Sequence, residues 1–210
     1  MARQINLFNF TGKLGNVVGY RYKGKYCLRS LPVRKNKTVT LVQLVQQEKF
    51  AIAGKFVRSL APVLAFSIPD PKKMTQSNFV MSHTLKKAMY GTYPNFHIDY
   101  SQVPVSRGHL ASAWSEKATT ASGNIIFSWM DNSIHNGVNA KGDDKAILVA
   151  YCEVLNKCVY SINSINRQTA VAVLPADQFM GFQVQTWLGF ISANGKLISN
   201  STYTGAMYMT

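Results

Sequence analysis

The apolar positions change period along the chain. At the start they alternate: Ile5 and Leu7 flank Asn6, and Phe8 and Phe10 flank Asn9. The phase slips by one between Leu7 and Phe8, which a bulge there, or a strand buried on both faces, absorbs. Gly12-Lys13-Leu14-Gly15-Asn16 reads as a turn. Val17 to Tyr22 and Lys25 to Ser30 flank Lys23-Gly24, which predicts a β-hairpin. If the turn keeps register, Tyr20, Tyr22, Tyr26 and Leu28 share one face, and Arg21, Lys23, Lys25 and Arg29 tend towards the other.

The period then lengthens to that of a helix. Thr40-Leu41-Val42-Gln43 has the form of a capping box, with Thr and Gln satisfying the first free amides. The helix is predicted to reach about Ala61, before Pro62, with Phe50, Ala53, Phe56, Val57 and Leu60 as its buried stripe. A second helix is predicted from Ser77 to Tyr90, with Phe79, Leu85 and Ala88 on its apolar side and Gly91 as its stop. From Ser115 onward the pattern predicts short strands over 124–130, 145–152, 157–160, 169–174, 182–192 and 196–203, with turn clusters between them. Along one of these, Val184, Thr186, Leu188 and Phe190 face one way and Trp187 the other.

Together these elements predict an α+β chain: an N-terminal β-hairpin region with two helices, followed by an antiparallel immunoglobulin-like or fibronectin-type-III-like β-sandwich. The expected division is a basic α+β region over 1–112 and a β-sandwich over 113–210.

Charge changes the picture most. The 210 residues hold 23 Lys+Arg against 9 Asp+Glu, a net of +14. Residues 1–75 carry 14 of those bases and 2 of the acids, while residues 115–210 balance at 6 and 6. Such asymmetry points to an anionic partner: nucleic acid, an acidic surface, or an acidic patch on a neighbouring copy. The candidate contact residues are Arg21, Lys23, Lys25, Arg29, Arg34, Lys35 and Lys37, with Tyr20, Tyr22 and Tyr26 to stack on bases. The 47% hydrophobic content excludes global disorder. The longest apolar runs, such as Leu60 to Phe66, fall short of the ~20 residues of a membrane helix, so no membrane insertion is expected. The first residues lack the pattern of a secretory signal, which makes a cytoplasmic location the expectation, with release in a particle left open.

Several pieces recur in a known family: Gly15-Asn16-Val17-Val18-Gly19, Lys23-Gly24-Lys25, Arg29-Ser30-Leu31-Pro32, Gly91-Thr92-Tyr93-Pro94 and Ser106-Arg107-Gly108 near the start, then Phe127-Ser128-Trp129, Gly189-Phe190-Ile191-Ser192 and Ser199-Asn200-Ser201-Thr202-Tyr203. On these the chain resembles a family of uncharacterised bacterial proteins, found mainly in Bacteroidetes and catalogued only as a domain of unknown function. The resemblance spans nearly the whole chain. It implies one architecture and carries no activity or catalytic residues.

The catalytic inventory is thin. Gly19 to Lys25 has the spacing of a phosphate-binding loop, but Tyr26 stands where Ser or Thr must hold magnesium, and the loop leads into a strand. His83, His97, His109 and His135 begin no metal-ligand pattern. His97 and Asp99 alternate on one strand and are the one acid–base couple worth testing. Asp143-Asp144 lacks calcium-loop spacing. Cys152 and Cys158 flank a short stretch and either face each other across a hairpin or pack as small hydrophobes. The sequence therefore predicts a non-enzymatic structural or assembly protein, self-associating in a virion-like or filament-like manner. The alternative is a nucleic-acid-binding protein acting as a monomer or small oligomer through the tyrosine-rich hairpin. No cofactor or metal is expected.

Overall fold

The glycine-punctuated start folds as an antiparallel meander of four strands: β1 (Arg3–Asn6), β2 (Asn9–Leu14), β3 (Val17–Tyr22) and β4 (Lys25–Ser30). The computed structural model describes residues 3–6, 9–22, 24–32, 38–69, 74–135 and 137–210. Strand β2 changes partner at Gly12, pairing with β1 up to Thr11 and with β3 from Gly12 onward. Gly19 is needed where β2 and β3 approach, because an added Cβ would lie 2.2 Å from the Phe10 carbonyl oxygen. The phase slip expected at Leu7 and Phe8 lies outside the described residues; β1 itself shifts register between Gln4 and Asn6.

The chain divides into two compact units, Met1–Thr40 and Leu41–Thr210. The boundary expected at 112/113 falls inside the second unit.

The second unit opens with α1 (Leu41–Ser67), which continues past Pro62 instead of ending before it. A proline inside a helix costs roughly 3 kcal/mol. Beyond it Val63, Leu64 and Ile68 are all buried. Burying each such side chain contributes about 1.5–3 kcal/mol, so the last turns outweigh the lost hydrogen bond. Ala53, Phe56, Val57 and Leu60 form the stripe as expected, but Phe50 is 53% exposed, because the core begins at Ala53. By length and apolar content α1 has the makings of a bilayer-crossing helix, contrary to the reading from run lengths. In this fold its C-terminal half is the core helix.

Helix α2 (Gln76–His83) is shorter than predicted and is capped by the Thr75 hydroxyl, which accepts from Asn78 N–H. A π-helical turn, Thr84–Ala88, follows it. The chain then turns into a hairpin of β5 (Met89–Thr92) and β6 (Asn95–Ile98), so Gly91 lies within a strand and stops no helix.

Seven strands complete the unit: β7 (Trp114–Ala121), β8 (Asn124–Met130), β9 (Lys145–Cys152), β10 (Lys157–Asn166), β11 (Val171–Pro175), β12 (Gln183–Ile191) and β13 (Thr202–Tyr208). The strand expected over 196–203 is instead a loop leading into β13. They form two antiparallel sheets, ordered β10-β9-β12-β13 and β11-β8-β7. Ile125, Phe127 and Trp129 of β8 meet Leu148 and Ala150 of β9 and Leu188 and Phe190 of β12 in one core. Ile147, Val149, Tyr151 and Trp187 point from the same two strands to the opposite side, where Phe56, Leu60 and Leu64 of α1 cover them. Strands β9 and β12 are therefore buried on both faces, which accounts for their near-continuous apolar sequence.

Candidate functional site

The N-terminal hairpin closes on two residues, with Tyr22 opposite Lys25. Directly opposed residues lie on one face of a sheet. A two-residue loop pairs even positions on β3 with odd positions on β4, so the expected separation of tyrosines from bases does not form. Val18, Tyr20 and Tyr22 share a face with Lys25, Cys27 and Arg29, and Lys13 of β2 joins them opposite Val18. Val17 and Arg21 share the other face with Tyr26 and Leu28, and Leu14 joins them opposite Val17. Each face sets an arginine over a tyrosine: Arg29 lies 5.7 Å from the Tyr20 ring centroid and Arg21 lies 5.7 Å from that of Tyr26.

The two faces thus differ in chemistry. One is basic and aromatic, with Tyr20 and Tyr22 exposed beside Lys25 and Arg29. The other joins exposed Leu14 (61%), Val17 and Leu28 (56%) to a single base, Arg21, beside Tyr26. The unit's 40 residues hold nine Lys+Arg and no Asp or Glu. Of the ten candidate residues, Arg21, Lys25, Arg29, Tyr20, Tyr22 and Tyr26 are thereby brought into one small sheet. Lys23, Arg34, Lys35 and Lys37 lie outside the described residues.

The suspected acid–base couple does not assemble. Asp99 uses Oδ1 to accept from the backbone N–H and hydroxyl of Ser101, capping a short 3-10 turn, and the His97 ring packs towards Tyr90 at 5.7 Å. Among the described residues no group of three His, Cys, Asp or Glu side chains could hold a metal ion. Cys158 pairs with Tyr151, one residue short of Cys152, so the two thiols point to opposite cores. Burial pushes the Cys158 thiol up to about 12.

One buried charge escaped the sequence reading. Arg167 is fully buried, and its Nε lies 3.3 Å from Oδ2 of Asp144, also buried. Its guanidinium donates to Asn132 Oδ1 at 2.9 Å and to the Ala111 carbonyl at 2.7 Å, and it stacks 4.0 Å from the Phe190 ring centroid. Burial lowers its pKa and Asp144 opposes that shift. These contacts tie loops of the second unit to one another and to β12, so this is structural chemistry.

Three of the pieces quoted for the family resemblance meet in space. Ser106 donates to the Ser199 carbonyl at 2.9 Å, Ser199 Oγ accepts from Phe190 N–H at 2.8 Å, and Ser201 Oγ accepts from the backbone N–H groups of Val105 and Ser106. Gly108 presses on the Ile198 carbonyl oxygen, where a Cβ would come to 2.0 Å. Beside this lattice lies a cavity of about 460 Å³, walled by Ile68, Phe79, Leu197 and Ile198 and edged by Arg107, His109 and Lys196.

The fold is thus a helix-backed, mostly antiparallel β protein, with a small basic sheet at its N-terminus. It belongs to the family of unknown function DUF6266, which matches residues 9–205. No curated protein and no solved structure matches the chain.

Proposed function

We propose that the protein is a non-enzymatic structural protein that self-associates through the leucine-bearing face of its N-terminal sheet. The opposite, basic face is left for an anionic partner. The observation that carries this reading is the pair of unlike exposed faces on β2–β4. A sheet of this size needs an apolar face packed against something to be stable. Leu14, Val17 and Leu28, beside Arg21 and Tyr26, present that face to solvent, and the same face of a second copy covers its apolar side chains without burying the lysines opposite. In the second unit, the first, second and fifth of the seven strands share one sheet, and the third, fourth, sixth and seventh share the other. That partition supports reading it as a fibronectin-type-III-like sandwich, a frequent spacer or binding module.

Size-exclusion chromatography with light scattering tests the reading on the full chain. A particle larger than one chain is expected, and Leu14→Glu with Leu28→Glu reduces it to a monomer. A wild-type monomer at micromolar concentration overturns it.

The charge of the same unit favours a second reading, nucleic-acid binding by a monomer or small oligomer. Tyrosines beside lysine and arginine on one face suit stacking plus phosphate neutralisation. This reading predicts affinity for single-stranded nucleic acid that falls steeply with salt, through counterion release. Replacing Lys25 and Arg29 by Ala then removes most of the affinity; unchanged affinity sinks it.

A further inference from the structure

The cavity beside α2 carries an independent assignment. We infer that it binds a small amphipathic carboxylate, with the apolar body inside and the carboxylate at the rim. Its volume of about 460 Å³ lies within the range of ligand clefts, about 300–1,000 Å³.

The walls are apolar and come from three places in the fold. Ile68 and Pro69 follow the end of α1, Phe79 is on α2, and Leu197 and Ile198 lie on the loop into β13. Among the described residues, the titratable side chains lining it are Arg107, His109 and Lys196, all exposed at the rim, with no acidic residue among them. Among the described residues the chain has one ion pair, Arg167 with Asp144, and neither Arg107 nor Lys196 is paired with a described carboxylate. The Arg107 guanidinium stands 5.1 Å from the Phe79 ring centroid, which ties the charged rim to the apolar wall.

The site is built before any ligand arrives. Arg107 N–H donates to the Ser67 carbonyl at 3.1 Å, and Leu110 N–H donates to the Ile198 carbonyl at 2.9 Å. Gly108 N–H donates to Asn200 Oδ1 at 3.2 Å, and Leu197 N–H to Ser192 Oγ at 2.9 Å. These bonds fasten the 105–110 segment to the end of α1 on one side and to the 192–200 loop on the other. A preformed site of this kind loses little to ordering on binding. An uncharged or cationic ligand of the same shape gains the apolar contacts but meets the Arg107 and Lys196 cations at the rim, so the charge complementarity selects an anion.

Isothermal titration of the full chain with decanoate, decanol and decyltrimethylammonium, each below its micellar range, tests the assignment. Decanoate should bind saturably at one site per chain, at least tenfold more tightly than the other two. Arg107→Gln with Lys196→Gln should weaken decanoate at least tenfold while leaving the melting temperature and decanol binding unchanged. Leu197→Asp should abolish decanoate binding by placing a carboxylate at the mouth. No saturable decanoate binding, equal binding of the three amphiphiles, or decanoate affinity indifferent to the double variant would each overturn it. None of these readouts depends on the N-terminal sheet or on oligomeric state.

Discussion

Replacing Arg167 by Met isolates the energetics of the one buried ion pair among the described residues. The substitution keeps an unbranched chain against Phe190 but removes the charge 3.3 Å from Asp144 and the donors to Asn132 and Ala111. Asp144 is 1% exposed and, among the described residues, keeps only the Lys141 N–H, 2.8 Å from Oδ2, as a hydrogen-bond donor. Leaving a buried charge without its partner costs about 3–5 kcal/mol. Total stabilities are about 5–15 kcal/mol, so this is a large share. At about 2–4 °C per kcal/mol for a domain of this size, Tm should fall by roughly 6–20 °C. Urea unfolding of Arg167→Met, Asp144→Asn and the double variant gives the coupling. The double variant should be more stable than the summed single costs predict, by about 2 kcal/mol, because it leaves neither charge alone. If the single costs add to within about 0.5 kcal/mol, or if Arg167→Met costs under about 1 kcal/mol, the pair does not hold these loops and the argument fails.

Three further outcomes follow from the same structure. His83 has a buried Nδ1 without a hydrogen-bond partner, and burial, with Lys87 and Arg107 nearby, lowers its pKa from 6.5. The unfolded chain therefore binds the proton more readily. This contribution to stability is full above pH 6.5 and is lost as pH falls towards the depressed folded value, and His83→Gln should flatten the stability profile over that range. Gly108→Ala forces a Cβ towards the Ile198 carbonyl, 2.0 Å away, and should lower stability by about 1–3 kcal/mol in urea unfolding, whereas Gly195→Ala on the neighbouring loop meets no atom within 4 Å and carries only its positive-φ strain. Cys158 is held as a thiol by its partly buried site, so maleimide should label Cys27 ahead of Cys158 and reach the buried Cys152 only on unfolding; equal labelling rates of the three in the native protein would contradict the packing.

The hairpin was legible because a two-residue Lys-Gly turn between alternating strands is a strong local signal. Its faces were not, because they depend on the parity of the pairing: with Tyr22 opposite Lys25, an even residue faces an odd one. The first helix was visible from its period, but its length was not. Pro62 is a local argument for a stop, and the burial of Val63 and Leu64 that overrides it is tertiary. Strand β7 was missed because it lies at the edge of its sheet, where Trp114-Ser115-Glu116-Lys117 shows no apolar alternation. Strands β9 and β12 were found readily, since sequences buried on both faces are apolar throughout. The cavity was out of reach of any local pattern: its lining comes from positions 68, 79, 107 and 197, which only the finished fold brings together.

The double burial of β9 and β12 has a consequence for how the second unit comes apart. The two apolar cores do not each own a wall; they share the same pair of strands. Lifting the helices away strips one side of Ile147, Val149 and Trp187, and in the same motion loosens the backbone that carries Leu148 and Leu188 in the other core. The helical layer and the three-stranded layer are therefore not free to melt as separate blocks. The amides of β9 and β12 should exchange with solvent only through global opening, at one common rate, while those of the edge strands β7, β10, β11 and β13 exchange ahead of them.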